Sequence, residues 1–254
     1  MIMPLYDDNE DRKTTPVVNY IIIALNIFVF AVFQNFGEND RFTYAFSAVP
    51  AEILSGRDLQ TDPRVIGMDS KKREIIQPGL EPTPIPVYLT LITSMFMHGS
   101  IGHILGNMLF LWIFGDNVED RLGRARYICF YLLSGIAADL AHIAVCYSTK
   151  ANLETPSLGA SGAISGVMGA YMFFFPSRQV TVILLRFIVT VPAKVAVGLW
   201  FLIQIVTSMV DDKGGVAYGA HIGGFLAGIP IAYFFDTWKK PERPDNSKNW
   251  TAPA

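Results

Sequence analysis

Apolar residues along this chain come in runs of about span length, parted by short polar or proline-rich breaks. The first run, residues 17–36 (VVNYIIIALNIFVFAVFQNF), follows an acidic segment that ends in Arg12-Lys13. About 20 apolar residues suffice for a helix to cross roughly 30 Å of hydrocarbon. The acidic front and the lack of a small-residue cleavage pattern set this run apart from a secretory leader. Mostly polar residues follow over 37–87, where the proline-rich EPTPIPVY cannot continue a helix. Further runs cover 88–115, 126–147, 161–176, 193–210 and 215–235. Residues 177–192 are apolar but carry Arg178, Arg186 and Pro192, which predicts a connector lying in the membrane interface. The pattern predicts an all-α, polytopic membrane protein with six transmembrane helices. Its parts are a cytoplasmic segment 1–16, a membrane domain 17–236 with a long first loop at about 37–87, and a polar tail 237–254.

Composition agrees: 51% of residues are hydrophobic, more than a soluble domain of this length carries. Lipid is therefore the first partner expected. A net charge of −2 offers no basic field for nucleic acid. Cys129 and Cys146 share one helical run, roughly 25 Å apart at about 1.5 Å per residue, so no internal disulfide is expected. Arg12, Lys13, Arg121, Arg124, Arg126, Arg178, Lys239, Lys240, Arg243 and Lys248 fall on the side of the termini, against Lys150 and Lys213 in the short opposite loops, with six more in the long first loop diluting the contrast. That asymmetry predicts cytoplasmic termini, and Trp238-Lys239-Lys240 reads as an interface anchor. The expected location is multi-pass in the plasma (inner) membrane.

Candidate chemistry lies in polar residues that interrupt apolar runs, because burying them in lipid is costly. Ser161 opens LGASGAISGVMGAY, with small residues at Gly162, Ser165/Gly166 and Gly169/Ala170 along one face. The sixth run repeats that spacing at Ala220, Gly223/Gly224 and Ala227/Gly228, with His221 on or beside the face. Two such faces pack closely in lipid, and a close approach brings His221 within reach of Ser161, the pairing that activates a serine nucleophile. His103 and Asn107 are four apart on one helix face, and both can donate to a developing oxyanion. Taken singly, Ser161 reads equally as a helix N-cap and His221 as a packed polar residue.

The segments HGSIGHILGN (98–107), GASG (159–162) and AHIGGFLAG (220–228), in that order on the second, fourth and sixth runs, resemble the rhomboid intramembrane serine proteases. VEDRLG (118–123) is similar to the family's acid-x-arginine stretch, which implies a structural role for Glu119 and Arg121. The resemblance implies a Ser161–His221 dyad, an oxyanion hole of His103, Asn107 and the Ser161 N–H, and a polar cavity that His98 helps to line. It implies transmembrane protein substrates and no cofactor. Two departures stand out. Ser165 holds a place where the family has an aromatic ring stacked on the catalytic histidine, so either another ring supplies that support or the histidine is oriented differently. The first loop also lacks tryptophan.

Other readings stay open. A catalytically silent relative would bind membrane clients. An ion-coupled carrier would use Asp139 and His142, three apart in the third run, although a position near the outer end facing protein or water is favoured for that pair. Trp200 and Phe201 read as lipid-facing or packing aromatics. No HExxH motif occurs, and His98 and His103 do not stack on one helix face, so no metal is expected. GASGA lacks the second glycine of a GxSxG elbow.

Overall fold

The computed structural model describes residues 2–68, 73–210 and 216–238. Its helices are α1 (Val17–Phe28), α2 (Asp40–Ala45), α3 (Pro50–Ser55), α4 (Thr90–Thr93), α5 (Ile101–Leu122), α6 (Arg124–Thr149), α7 (Ser161–Phe174), α8 (Ala193–Val210) and α9 (Tyr218–Thr237). Its strands are β1 (Ile2–Asp7), β2 (Arg64–Met68), β3 (Glu74–Gln77), β4 (Gln179–Leu184) and β5 (Phe187–Pro192). Lys213, Lys239, Lys240, Arg243, Lys248 and most of the polar tail lie outside the described residues.

The chain is thus mostly helical rather than all-helical. Residues expected as an interface connector form the hairpin β4–β5, and β1 pairs antiparallel with the other edge of β4, giving the order β1-β4-β5. The β-branched runs QVTVIL and FIVTVP suit a pleated, half-buried surface. Leu185, at φ 59°, turns the chain between them. Strands β2 and β3 form a separate hairpin in the first loop.

Among the described residues, three helices are long and apolar enough to cross a membrane: α6, α8 and α9. Residues 17–33, 87–96 and 161–174 form shorter apolar helical stretches. The run at 88–115 is two elements, because the chain leaves the helix at Met97 and re-enters at α5. Ser100 caps that second start, its Oγ accepting from the His103 N–H at 3.1 Å.

Helix α7 lies at the centre, with Val167, Ala170 and Tyr171 wholly buried. Its small face meets α9 at backbone distance: a Cβ on Gly224 would collide with the Gly162 carbonyl, and one on Gly228 with the Gly166 carbonyl. Side chains that small let two backbones touch, which is how helices gain packing energy where lipid supplies no hydrophobic drive. Glu119 accepts from the Val18 and Asn19 N–H groups at 3.1 and 2.7 Å, satisfying orphan donors at the start of α1. Arg121 pairs with Asp236 at 2.9 Å and ties α5 to α9.

Candidate active site

Ser161 is the first residue of α7, and His221 sits one turn into α9. The glycine contacts between the helices bring the two side chains together, with Ser161 Oγ 2.9 Å from His221 Nε2. The other ring nitrogen, Nδ1, lies 2.8 Å from Gln204 Oε1 on α8. One turn before Gln204, the Trp200 ring stands 6.1 Å from the His221 ring at a tilt of 38°. Tyr218 approaches the same ring edge-on at 6.4 Å. The aromatic neighbour of the histidine is therefore supplied by α8 and α9 in place of α7. Ser165 is buried and turns back to its own helix, donating to the Ser161 carbonyl at 2.7 Å.

His103 and Asn107 project from α5 toward the chain that leads into Ser161. That segment bends at Gly159, where φ is 121°, and a Cβ there would lie 2.8 Å from His103 Nε2 and 3.7 Å from Asn107 Nδ2. Only glycine accepts this backbone conformation without strain. The Gly159 N–H donates to the Ser94 carbonyl at 2.9 Å, which fixes the bend. Asn107 Nδ2 is buried and has no hydrogen-bond partner among the described residues. A buried donor left open is costly, so it is available to an acceptor that arrives in the cavity.

These groups share one cavity of about 560 Å³, lined by His103, Asn107, Ser161, Trp200, Gln204 and His221 among others. A neighbouring cavity of about 360 Å³ shares Gly99, His103 and Leu158 with it and extends to Tyr44, Pro78 and His142. Trp200 thus lines the site and is not a plain lipid-facing residue, whereas Phe201 stacks on Phe225 at 4.1 Å. His98, expected to line the cavity, is instead fully buried behind it. Gln34 holds its backbone from both sides, donating to the carbonyl at 2.9 Å and accepting from the N–H at 3.0 Å. The His98 ring packs edge-on against His103 and Phe30.

Asp139 and His142 take different partners. Asp139 accepts from Ser94 Oγ at 2.9 Å, while His142 Nε2 lies 3.6 Å from Cys146 Sγ. Both cysteines are free. Among the described residues, no three His, Cys, Asp or Glu side chains cluster as metal ligands do.

Gln204 joins the cavity although nothing in the sequence motifs singles it out. It is a polar group inside the apolar stretch LWFLIQIV, the same signal that marked His103 and Asn107, and it lies four residues from Trp200 on one helix face.

Residues 86–237 match the family model described as the Rhomboid domain. The chain is 30% identical to Rhomboid protein 1, mitochondrial, of Saccharomyces cerevisiae, over 61% of this chain and 44% of that protein. It is 31% identical to RHOMBOID-like protein 12, mitochondrial, of Arabidopsis thaliana, over 53% of this chain and 43% of that protein. Identity to Rhomboid protease GluP of Bacillus subtilis is 30%, over 81% of this chain and 38% of that protein. The chain therefore spans less than half the length of these relatives.

Proposed function

Because the chain belongs to the rhomboid family, we propose that it is an intramembrane serine endopeptidase that cleaves membrane proteins at or near their transmembrane segments. The observation that carries this reading is the 2.9 Å approach of Ser161 Oγ to His221 Nε2 inside a cavity that also holds the open donor of Asn107. In the first step His221 Nε2 takes the hydroxyl proton as Ser161 Oγ attacks the scissile carbonyl. The carbonyl oxygen gathers negative charge, for which Asn107 Nδ2, His103 and the Ser161 N–H are the donors. His221 then returns the proton to the leaving amine, and water attacks the acyl ester with the same base.

The six-span arrangement belongs to this proposal, with the shorter stretches 17–33 and 161–174 and helix α5 completing the set begun by α6, α8 and α9. The 14 residues of α7 reach about 21 Å, short of the roughly 30 Å of hydrocarbon. If its Phe174 end meets one interface, Ser161 lies below the other, and the two adjoining cavities supply the wet route to it. An integral membrane protein is what the family and the apolar helices support. The expected plasma-membrane location gains no support, since relatives from yeast and Arabidopsis are named as mitochondrial.

The test is proteolysis in liposomes. Co-reconstituted single-span reporter proteins with a small residue before the target bond should be cut by the wild type and left whole by Ser161→Ala and His221→Ala. Cleavage that persists in Ser161→Ala would overturn the assignment.

A further inference from the structure

We infer that Gln204 is the positioning residue of the dyad, occupying with a neutral amide the place that an aspartate holds in a Ser-His-Asp triad. The inference rests on the protease reading above and adds to it a third member carried by a different helix. Gln204 Oε1 lies 2.8 Å from His221 Nδ1, and His221 Nε2 lies 2.9 Å from Ser161 Oγ, so the three side chains form one chain of contacts. An amide oxygen only accepts, which places the proton on Nδ1 and leaves the Nε2 lone pair facing the serine hydroxyl. Trp200, one turn away on the same face of α8, stands beside the imidazole and limits its rotation.

The chemistry needs this help for a reason visible in the cavity. A neutral imidazole has two tautomers, and only the one protonated at Nδ1 can act as base toward Ser161. With Ser165 hydrogen-bonded to its own helix, α7 contributes no ring to hold the histidine. The partner of Nδ1 and one of the two rings beside the imidazole come from α8, a helix less buried in the protein than α6 or α9, while Tyr218 of α9 supplies the other ring. Histidine orientation therefore depends on α8 being seated against α9. Displacement of α8 removes the acceptor and the Trp200 ring together, leaving only the Tyr218 edge contact within α9.

Two variants separate positioning from packing. Gln204→Met keeps the length and bulk of the side chain but has no oxygen acceptor, while Gln204→Glu keeps the acceptor. Imidazole ¹⁵N spectra of the detergent-purified protein, with His221 assigned by its loss in His221→Ala, report the tautomer whether or not the protein is active. The wild type and Gln204→Glu should show Nδ1 protonated, and Gln204→Met a mixture or the opposite tautomer. Labelling by a fluorophosphonate should slow roughly 10- to 100-fold in Gln204→Met and stay near wild type in Gln204→Glu, with thermal midpoints close to wild type. Protonation of Nε2 in the wild type, or an unchanged tautomer in Gln204→Met, overturns the inference. A wild type with Nδ1 protonated that is never labelled upholds the Gln204 contact and counts against the protease reading.

Discussion

At the scale of single residues, the site depends on side chains whose neighbours leave them one thing to do. Asn107 Nδ2 is buried and unpartnered, so Asn107→Leu should lower kcat about 100- to 1,000-fold with little change in KM, as loss of an oxyanion donor does. An equal rise in KM with kcat intact would assign Asn107 to substrate binding instead. Gly159 is a second such point: Gly159→Ala forces a Cβ to within 2.8 Å of His103 Nε2 at a φ of 121°. Strain of about 1–3 kcal/mol is expected there, seen as a modest fall in thermal midpoint with a much larger fall in labelling rate. Equal losses in both would mean that the bend serves the fold alone. Ser161, His221, His103 and Asn107 each stand out in the sequence as a polar group set in an apolar run, and the fold brings the four to one cavity, where their catalytic roles are what we propose. Gln204 bore the same mark, but its meaning lay in a contact between α8 and α9 that no spacing within one run reveals.

Helices α7 and α9 show at the next scale how much small residues decide. The repeated small spacing in two runs was enough to expect a close approach, and Gly224 and Gly228 meet the carbonyls of Gly162 and Gly166. Gly228→Val should push the helices apart, lower the thermal midpoint and abolish labelling, while Leu226→Val on the exposed side of α9 should change neither. Wild-type labelling in folded Gly228→Val would show that the dyad does not depend on this packing. Hydropathy located the helices well but blurred their breaks, since a run at 88–115 looks continuous where Met97 to Ser100 interrupt it. It also concealed the β4–β5 hairpin, whose strands read as apolar chain and whose third partner, β1, lies more than 170 residues away in sequence. Glu119 and Arg121 were legible only through resemblance, and their contacts to α1 and Asp236 are long-range.

Across the whole molecule, the N-terminal strand straps the end of the bundle opposite the dyad. Asp7 accepts from the Tyr171 hydroxyl at 2.6 Å and from Asn117 at 2.8 Å, and Tyr171 stands about 15 Å along α7 from Ser161. Arg178 grips Asp11 at 2.5 and 2.6 Å, and Arg12 pairs with Asp116 at 2.6 Å. Burial pushes the Asp7 carboxyl from 3.8 up to about 7, against the Tyr171 hydrogen bond, with negative Asp116 adding to the rise and Arg178 opposing it. The folded chain thus holds a proton that the unfolded chain releases near pH 3.8, so stability present below that value is lost as pH rises through about 7. The thermal midpoint should fall over that window, and less steeply in Asp7→Asn. Identical slopes would remove Asp7 from the explanation.

The most direct measurement is the intact mass of the purified protein after exposure to a fluorophosphonate, with the adduct located by peptide sequencing. A single adduct on Ser161, absent in Ser161→Ala and in His221→Ala, is the predicted result. A folded wild type that carries no adduct, or carries it on another residue, would contradict an activated serine at the start of α7.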